Sequence, residues 1–353
     1  MKLLRKLTSL IAIILMPSIF TSTFQANPCL NANNTNTFDV AVLIYSFNDA
    51  FSLKLIQELE AIQRINEDKI RFNFYDGKNN IAIQNETLDL ILRSNIDLII
   101  GNLADVRKSF VGEAILKVKQ RDIPLILLNI DPQVVSKVSK YYNKVAFILP
   151  DSKESGTIQG KILVNLWNTN RKVLDKNNDN ILQYALLQGK ADNPQAIDRT
   201  KYVISAINNS GIKTEQLANI DANWSKELAK DSITNLFLKY DGKIETIISN
   251  NDAMAIGAIE SLQKFGYNKG DKTKNIAVVG IDALPEARDL VNRGIMTGTV
   301  VQDPKILAET LYTIGMNLVN NLPPTENTNY KIVNGVILVP YLYKEYTGKT
   351  DVS

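Results

Sequence analysis

The apolar residues of this chain gather in short runs separated by amphipathic stretches, and the two alternate with a regular beat. Val40-Ala41-Val42-Leu43-Ile44 is apolar without interruption, as a strand buried on both faces requires. Leu53, Leu55, Ile56, Leu59 and Ile62 then recur at helical spacing. The pattern predicts further strands over 71–75, 96–100 and 124–128, with helices over 83–92 and 111–118 between them. It restarts with a strand over 144–149, a helix over 153–166, a strand over 182–187 and helices over 196–207 and 224–238. Strands over 246–248 and 275–279, a short one ending at Val300-Val301, and a closing one over 331–340 alternate with helices over 253–262, 284–291 and 306–319.

Strands alternating with helices build a parallel sheet covered on both faces. The expected fold is therefore α/β, two doubly wound lobes joined by a hinge with a ligand between them. The N-terminal lobe is expected to take 38–128 and 303–322, and the C-terminal lobe 129–302 and 323–353. Hinge crossings are expected near Leu128-Asn129, Gln302-Asp303 and Pro323-Pro324.

Ahead of this body, Lys2, Arg5 and Lys6 precede an apolar run over 7–24, the layout of a secretory signal. Residues 1–26 are expected to be a signal peptide or a retained membrane anchor, and 27–37 a polar, asparagine-rich linker. Cys29 is the only cysteine, so it forms no internal disulfide and is either an idle thiol or a lipid attachment point.

Composition narrows the function by exclusion. The chain has 353 residues, 45% apolar and 22% charged, which is ordinary for a globular protein long enough for two domains. Forty basic against thirty-seven acidic residues leave +3 without a long single-sign run, so no nucleic-acid footprint is expected. Histidine is absent, which removes Ser-His-Asp and Cys-His nucleophile systems and histidine-ligated zinc.

Open α/β sheets bind ligands at the carboxyl ends of their strands, where polar loops and helix starts converge. The group Ser249-Asn250-Asn251-Asp252 stands at such an exit, and Asp49, Phe51, Asn102, Arg199, Trp224 and Asp282 stand at others. Singly these residues read as helix caps, core or solvated surface. Together they offer carboxylates that accept hydroxyl hydrogen bonds, a guanidinium that donates several, and flat rings for the apolar face of a sugar. No glycine-rich phosphate loop accompanies them, so a small neutral polyol fits better than a nucleotide.

The chain also resembles a known family, the exported galactose/glucose-binding proteins that feed sugar transporters and chemotaxis receptors and share the type I periplasmic binding protein fold. The resemblance rests on Asp151-Ser152-Lys153-Glu154-Ser155-Gly156, Asn250-Asn251-Asp252-Ala253-Met254-Ala255 and Asp282-Ala283-Leu284-Pro285-Glu286-Ala287, within a span from about Val40 to Tyr341. It implies that Phe51 and Trp224 sandwich a pyranose inside a ring of Asp49, Asn102, Arg199, Asn251 and Asp282. It adds Asn193, Gln195 and Gln302 to that ring, standing where the family usually has histidine, aspartate and asparagine. Pro150 stands where it usually has threonine. Loss of the acid at 195 removes a charge-assisted acceptor, on the order of 1.5–3 kcal/mol if that bond was made. Galactose and glucose are therefore joined by a pentose such as xylose as candidate ligands.

The segment 175–183 places side-chain oxygens of Asp175, Asn177, Asp179 and Gln183 at positions one, three, five and nine, with the Ile181 carbonyl at seven. That is the front of an EF-hand loop, or else a polar turn. The resemblance implies a structural calcium ion there and supplies Glu245 as its remote acid. The expected function is a non-enzymatic sugar receptor that delivers its ligand to the permease of an ABC transporter. The alternative is a sugar sensor acting on a membrane histidine kinase or chemoreceptor. A repressor core and a carboxylate glycosidase using Asp49 and Asp282 are weaker readings, the first for want of a helix-turn-helix before Val40.

Overall fold

The computed structural model describes residues 37–240 and 242–348. The expected signal or anchor over 1–26, the linker up to residue 36 and Cys29 lie outside the described residues. Among the described residues no helix is long and apolar enough to cross a membrane.

The first half runs β1 (Phe38–Ile44), α1 (Ala50–Ile65), β2 (Ile70–Asp76), α2 (Ile81–Ile91), β3 (Leu98–Asn102), α3 (Lys108–Lys119), β4 (Leu125–Leu128), α4 (Pro132–Val138) and β5 (Val145–Leu149). The second half continues with α5 (Ser152–Asn170), β6 (Ile181–Gln188), α6 (Pro194–Asn209), β7 (Lys213–Asp221), α7 (Lys226–Tyr240), β8 (Thr246–Ser249), α8 (Asp252–Lys264), β9 (Ala277–Asp282), α9 (Pro285–Asn292) and β10 (Gly298–Val301). The chain closes with α10 (Pro304–Val319), β11 (Ile332–Val333), β12 (Val336–Leu338) and β13 (Lys344–Tyr346).

Two sheets result, one of seven strands in the order β11-β12-β5-β4-β3-β1-β2 and one of six in the order β13-β10-β9-β8-β6-β7. Their central strands are buried along nearly their whole length, which is why they read as unbroken apolar runs. Most helices start behind an Asp or Asn whose side chain takes an N–H of the first turn, among them Asp49, Asn80, Asp131, Asp151, Asn193, Asn251 and Asp303. Those caps ring the strand exits with polar side chains, and this is what makes the exit face a binding face.

The two-lobed fold is as expected, but its seams lie elsewhere. Strand β5 pairs with β4, and β12 pairs with β5, so 145–149 and 332–338 belong to the first sheet and not to a C-terminal lobe of 129–302 plus 323–353. The first crossing between sheets therefore follows Leu149, through Pro150, rather than Leu128-Asn129. The third runs from β12 to β13 rather than through Pro323-Pro324, and the second passes from β10 to α10, which packs on α1. A strand's own composition does not say which sheet it joins, so a pause in the rhythm at 129–143 passed for a lobe boundary.

The expected closing strand over 331–340 is a hairpin. Asn334 and Gly335 adopt positive φ of 50° and 82° between β11 and β12, as a two-residue hairpin turn demands. Strand β7 has no counterpart in the sequence reading, because this mostly exposed edge strand carries the polar run KTEQLANID.

Candidate functional site

One cavity, with a volume of about 100 Å³, opens where the strand exits of the two sheets face each other. That is the scale of a single small ring, since a cavity of roughly 150 Å³ holds a benzene. All ten residues expected around a ligand border it: Asp49, Phe51, Asn102, Asn193, Gln195, Arg199, Trp224, Asn251, Asp282 and Gln302. The first lobe supplies Asp49 and Phe51 from the start of α1 and Asn102 from the end of β3. The second supplies Asn193, Gln195 and Arg199 around the first turns of α6, Trp224 before α7, Asn251 at the cap of α8, Asp282 at the end of β9 and Gln302 just after β10.

The capping roles are real as well, and coexist with the cavity. Asp49 accepts from the Ser52 N–H at 2.7 Å, Asn193 from the Gln195 N–H at 2.9 Å and Asn251 from the Met254 N–H at 3.0 Å. Each cap spends one oxygen on its helix and leaves the rest of the group at the cavity wall.

Arg199 is the hub. It is only 2% exposed, and it donates from Nη1 to the Asn250 carbonyl at 2.6 Å and from Nη2 to Gln302 Oε1 at 2.8 Å and Gln195 Oε1 at 3.3 Å. Its guanidinium stands 5.7 Å from the centre of the Trp224 ring, and its Nε has no partner. The guanidinium thus spends these hydrogen bonds on neutral oxygens and leaves the nearby carboxylates without them.

Those carboxylates are pushed toward their protonated forms. Burial raises Asp49 against the hydrogen bonds of Ser52 and Tyr45 and the attraction of Arg199. Burial raises Asp282 well above the carboxylate range; Arg199 pulls it back and the neighbouring Asp252 and Asp49 push further. Asp252, behind the cavity, is pushed up to about 7 by burial despite accepting from Thr299 Oγ1 at 2.6 Å and the Leu284 N–H at 2.8 Å. Hydroxyl donors entering this space would supply the bonds that water no longer gives.

Trp224 does not begin a helix as the periodicity suggests. It lies before α7 with φ of 63°, next to Asn223 with φ of 48°, and its indole covers Gly189. Asp282 and Ala283 also have positive φ, 121° and 54°. A non-glycine residue held this way costs of order 1–3 kcal/mol, and such strain gathers where a side chain must be aimed.

Sequence reasoning missed Tyr45, Asn79, Asn129, Lys190, Asn223 and Tyr341, which also border the cavity. The strand-exit rule itself would have found Asn129, the residue directly after β4. Lys190 Nζ donates to the Ala104 carbonyl, joining the two lobes at the cavity's edge.

The 175–183 loop and Glu245 also come together. Glu245 accepts from the main-chain N–H of Lys176 at 2.6 Å and of Gln183 at 3.1 Å, and Asp175 Oδ2 accepts from the Asn180 N–H at 3.2 Å. Asp179 Oδ2 accepts from Asn177 Nδ2 at 2.9 Å and Gln183 Nε2 at 2.7 Å. Asn178 and Asn180 take positive φ of 61° and 62°, the left-handed turn conformation that asparagine tolerates better than most residues. Among the described residues no three acids stand together as a ready-made metal site, so the loop's carboxylates alternate with amides. Asp175 Oδ1 is buried without a partner, and burial raises Glu245 against its backbone hydrogen bonds.

Residues 40–323 match the family of the periplasmic binding protein domain. The chain is 33% identical over 306 residues to the D-galactose/methyl-galactoside binding periplasmic protein of Haemophilus influenzae, covering 86% of this chain and 88% of that protein. A periplasmic solute binding protein of an ABC transporter from Actinobacillus succinogenes, solved with bound D-allose, superposes with a TM-score of 0.69 at 19% identity over 88% of this chain and 97% of its own. One from Bacillus halodurans with bound myo-inositol gives 0.68 at 22% identity over 89% and 96%. At those identities the two structures speak for the fold, two α/β lobes of type I. The chain belongs to the periplasmic binding protein family.

Proposed function

We infer that this protein is a periplasmic receptor that binds one monosaccharide between its lobes and delivers it to the permease of an ABC transporter. As a member of a family of binding components, it is a receptor and not an enzyme. The observation that carries the ligand class is the cavity. Buried and half-buried acids and amides and one buried guanidinium line it from both lobes, and Phe51 and Trp224 reach it from opposite lobes. Polar groups whose partners are missing in a closed space favour a guest rich in hydroxyls, and aromatic faces suit the CH patches of a sugar ring. The galactose-binding relative supports a hexose; the amide at 195 widens the choice to other hexoses and pentoses.

The uptake role is supported by membership of the periplasmic binding protein family and by the galactose-binding periplasmic relative, and nothing comparable supports a sensor partner. Export is through the N-terminal segment over 1–26, as a cleaved signal peptide or a retained membrane anchor. The test is thermal unfolding with galactose, glucose, allose, ribose and xylose, followed by Trp224 fluorescence. A rise in melting temperature and an emission change with at least one sugar support the reading, and a flat response to all five sinks it.

The donor set around 175–183 fits a calcium ion. It consists of hard oxygens from Asp175, Asn177, Asp179 and Gln183, the Ile181 carbonyl and Glu245, and the unpartnered Asp175 Oδ1 is the observation in favour. Asn177 and Gln183 would turn their amides to present oxygen in place of nitrogen. Such an ion would tie the start of β6 to Glu245 just before β8 and supply rigidity, not chemistry.

A further inference from the structure

Three amides form an ordered row along one wall of the cavity. Arg199 Nη2 donates to Gln195 Oε1 at 3.3 Å, Gln195 Nε2 donates to Asn129 Oδ1, and Asn129 Nδ2 donates to Asn102 Oδ1 at 3.5 Å. All four residues border the cavity, and the row crosses from the second lobe to the first. The direction of the row is not free. A guanidinium only donates, so Gln195 must turn its oxygen to Arg199 and its nitrogen to Asn129. Asn129 must then turn its oxygen to Gln195 and its nitrogen to Asn102. Each amide oxygen already carries one hydrogen bond within the row, and each amide nitrogen, which has two N–H bonds, keeps at least one to spare. Asn129 is held in place for this by its backbone: its N–H bonds the Ile148 carbonyl at 3.0 Å and its φ is 61°.

We propose that Asn129 is a specificity-determining residue, and that the Gln195–Asn129–Asn102 row is a donor wall that reads an oxygen of the ligand needing only to accept. The opposite chemistry comes from Asp49 and Asp282, whose carboxyl oxygens accept and so read hydroxyl hydrogens. The preferred ligand is then a polyol with donors toward the acids and an acceptor toward the amides. This rests on the polyol reading, which it refines.

The experiment is calorimetric titration of the full exported protein with the tightest binder among D-galactose, D-glucose, D-xylose and D-allose, and with its monodeoxy and monodeoxyfluoro derivatives. At one ring position the fluoro derivative, which keeps an acceptor and loses the donor, is expected to stay within about threefold of the parent while the deoxy derivative loses about tenfold. At positions facing acids both lose about tenfold. In Asn129→Asp, which tolerates the same backbone conformation, the fluoro derivative loses its advantage. Asn129→Gly, which also tolerates positive φ, weakens the parent sugar about fivefold with an unchanged far-ultraviolet spectrum. Indistinguishable deoxy and fluoro derivatives at every position, or an Asn129→Asp pattern identical to the wild type's, would overturn the donor wall while leaving sugar binding intact. Absence of binding by all four parent sugars would instead overturn the polyol reading beneath it.

Discussion

A β-carbon added to Gly189 would stand 2.2 Å from the indole of Trp224, so the ring's position depends on residue 189 having no side chain. Neither partner can move cheaply: Gly189 donates its N–H to Asn250 Oδ1 at 3.1 Å, and Trp224 sits in a left-handed backbone conformation before α7. Gly189→Ala should therefore push the indole into the cavity or out of it. Affinity for the sugar is expected to fall tenfold or more, with overpacking costing about 1–3 kcal/mol of stability. Titration and a denaturant melt of the variant check both numbers.

Arg199 feeds four different groups, so its fork matters as much as its charge. Arg199→Lys keeps the cation and loses the planar geometry. Affinity should drop about 10- to 100-fold in calorimetry, since Gln195, Gln302 and the Asn250 carbonyl cannot all be satisfied by an ammonium on a shorter reach. An unchanged affinity would mean that the row described above is not organised by the guanidinium.

Asp252 gives a pH dependence with a definite sign. Its folded pKa, pushed up to about 7 by burial, lies above its ordinary value of 3.8. Such an acid contributes stability that is fully present below the lower value and is lost as pH rises through the upper one. The ligand-free protein should therefore lose stability between about pH 4 and pH 8 through this group, and Asp282, raised in the same direction, adds to the loss. In Asp252→Asn the decline of melting temperature with pH over that range should be shallower. A slope equal to the wild type's would show that the carboxyl is ionised throughout.

The sequence made much of this legible, for one physical reason. Buried parallel strands are apolar runs, and the residues after them are polar because strand ends face the cleft; Asp49, Asn102, Asn251 and Asp282 follow from that alone. What stayed hidden depends on non-local pairing or on backbone signs. Nothing in 145–149 says that it joins β4, and the polar edge strand β7 lacks an apolar face to announce it. Trp224 reads as the start of a helix because its left-handed conformation is imposed by its surroundings, Gly189 among them. The Asn334-Gly335 turn, by contrast, was readable from its residue types and was passed over.

The 175–183 loop predicts a metal-dependent stability. At free calcium about a hundredfold above its dissociation constant the ion would add about 2.7 kcal/mol, lost on chelation. Melting curves with and without chelator should separate for the wild type and coincide for Glu245→Gln. Identical wild-type curves after exhaustive chelation would dispose of the calcium site.

The most direct measurement is isothermal titration of the exported body with galactose, glucose, allose, ribose and xylose, beside the Arg199→Lys protein. A saturable signal with one site per chain is expected for at least one sugar, clearly weaker in the variant, with the sugar recovered unaltered. No heat with any of the five, or binding that ignores Arg199, would contradict it.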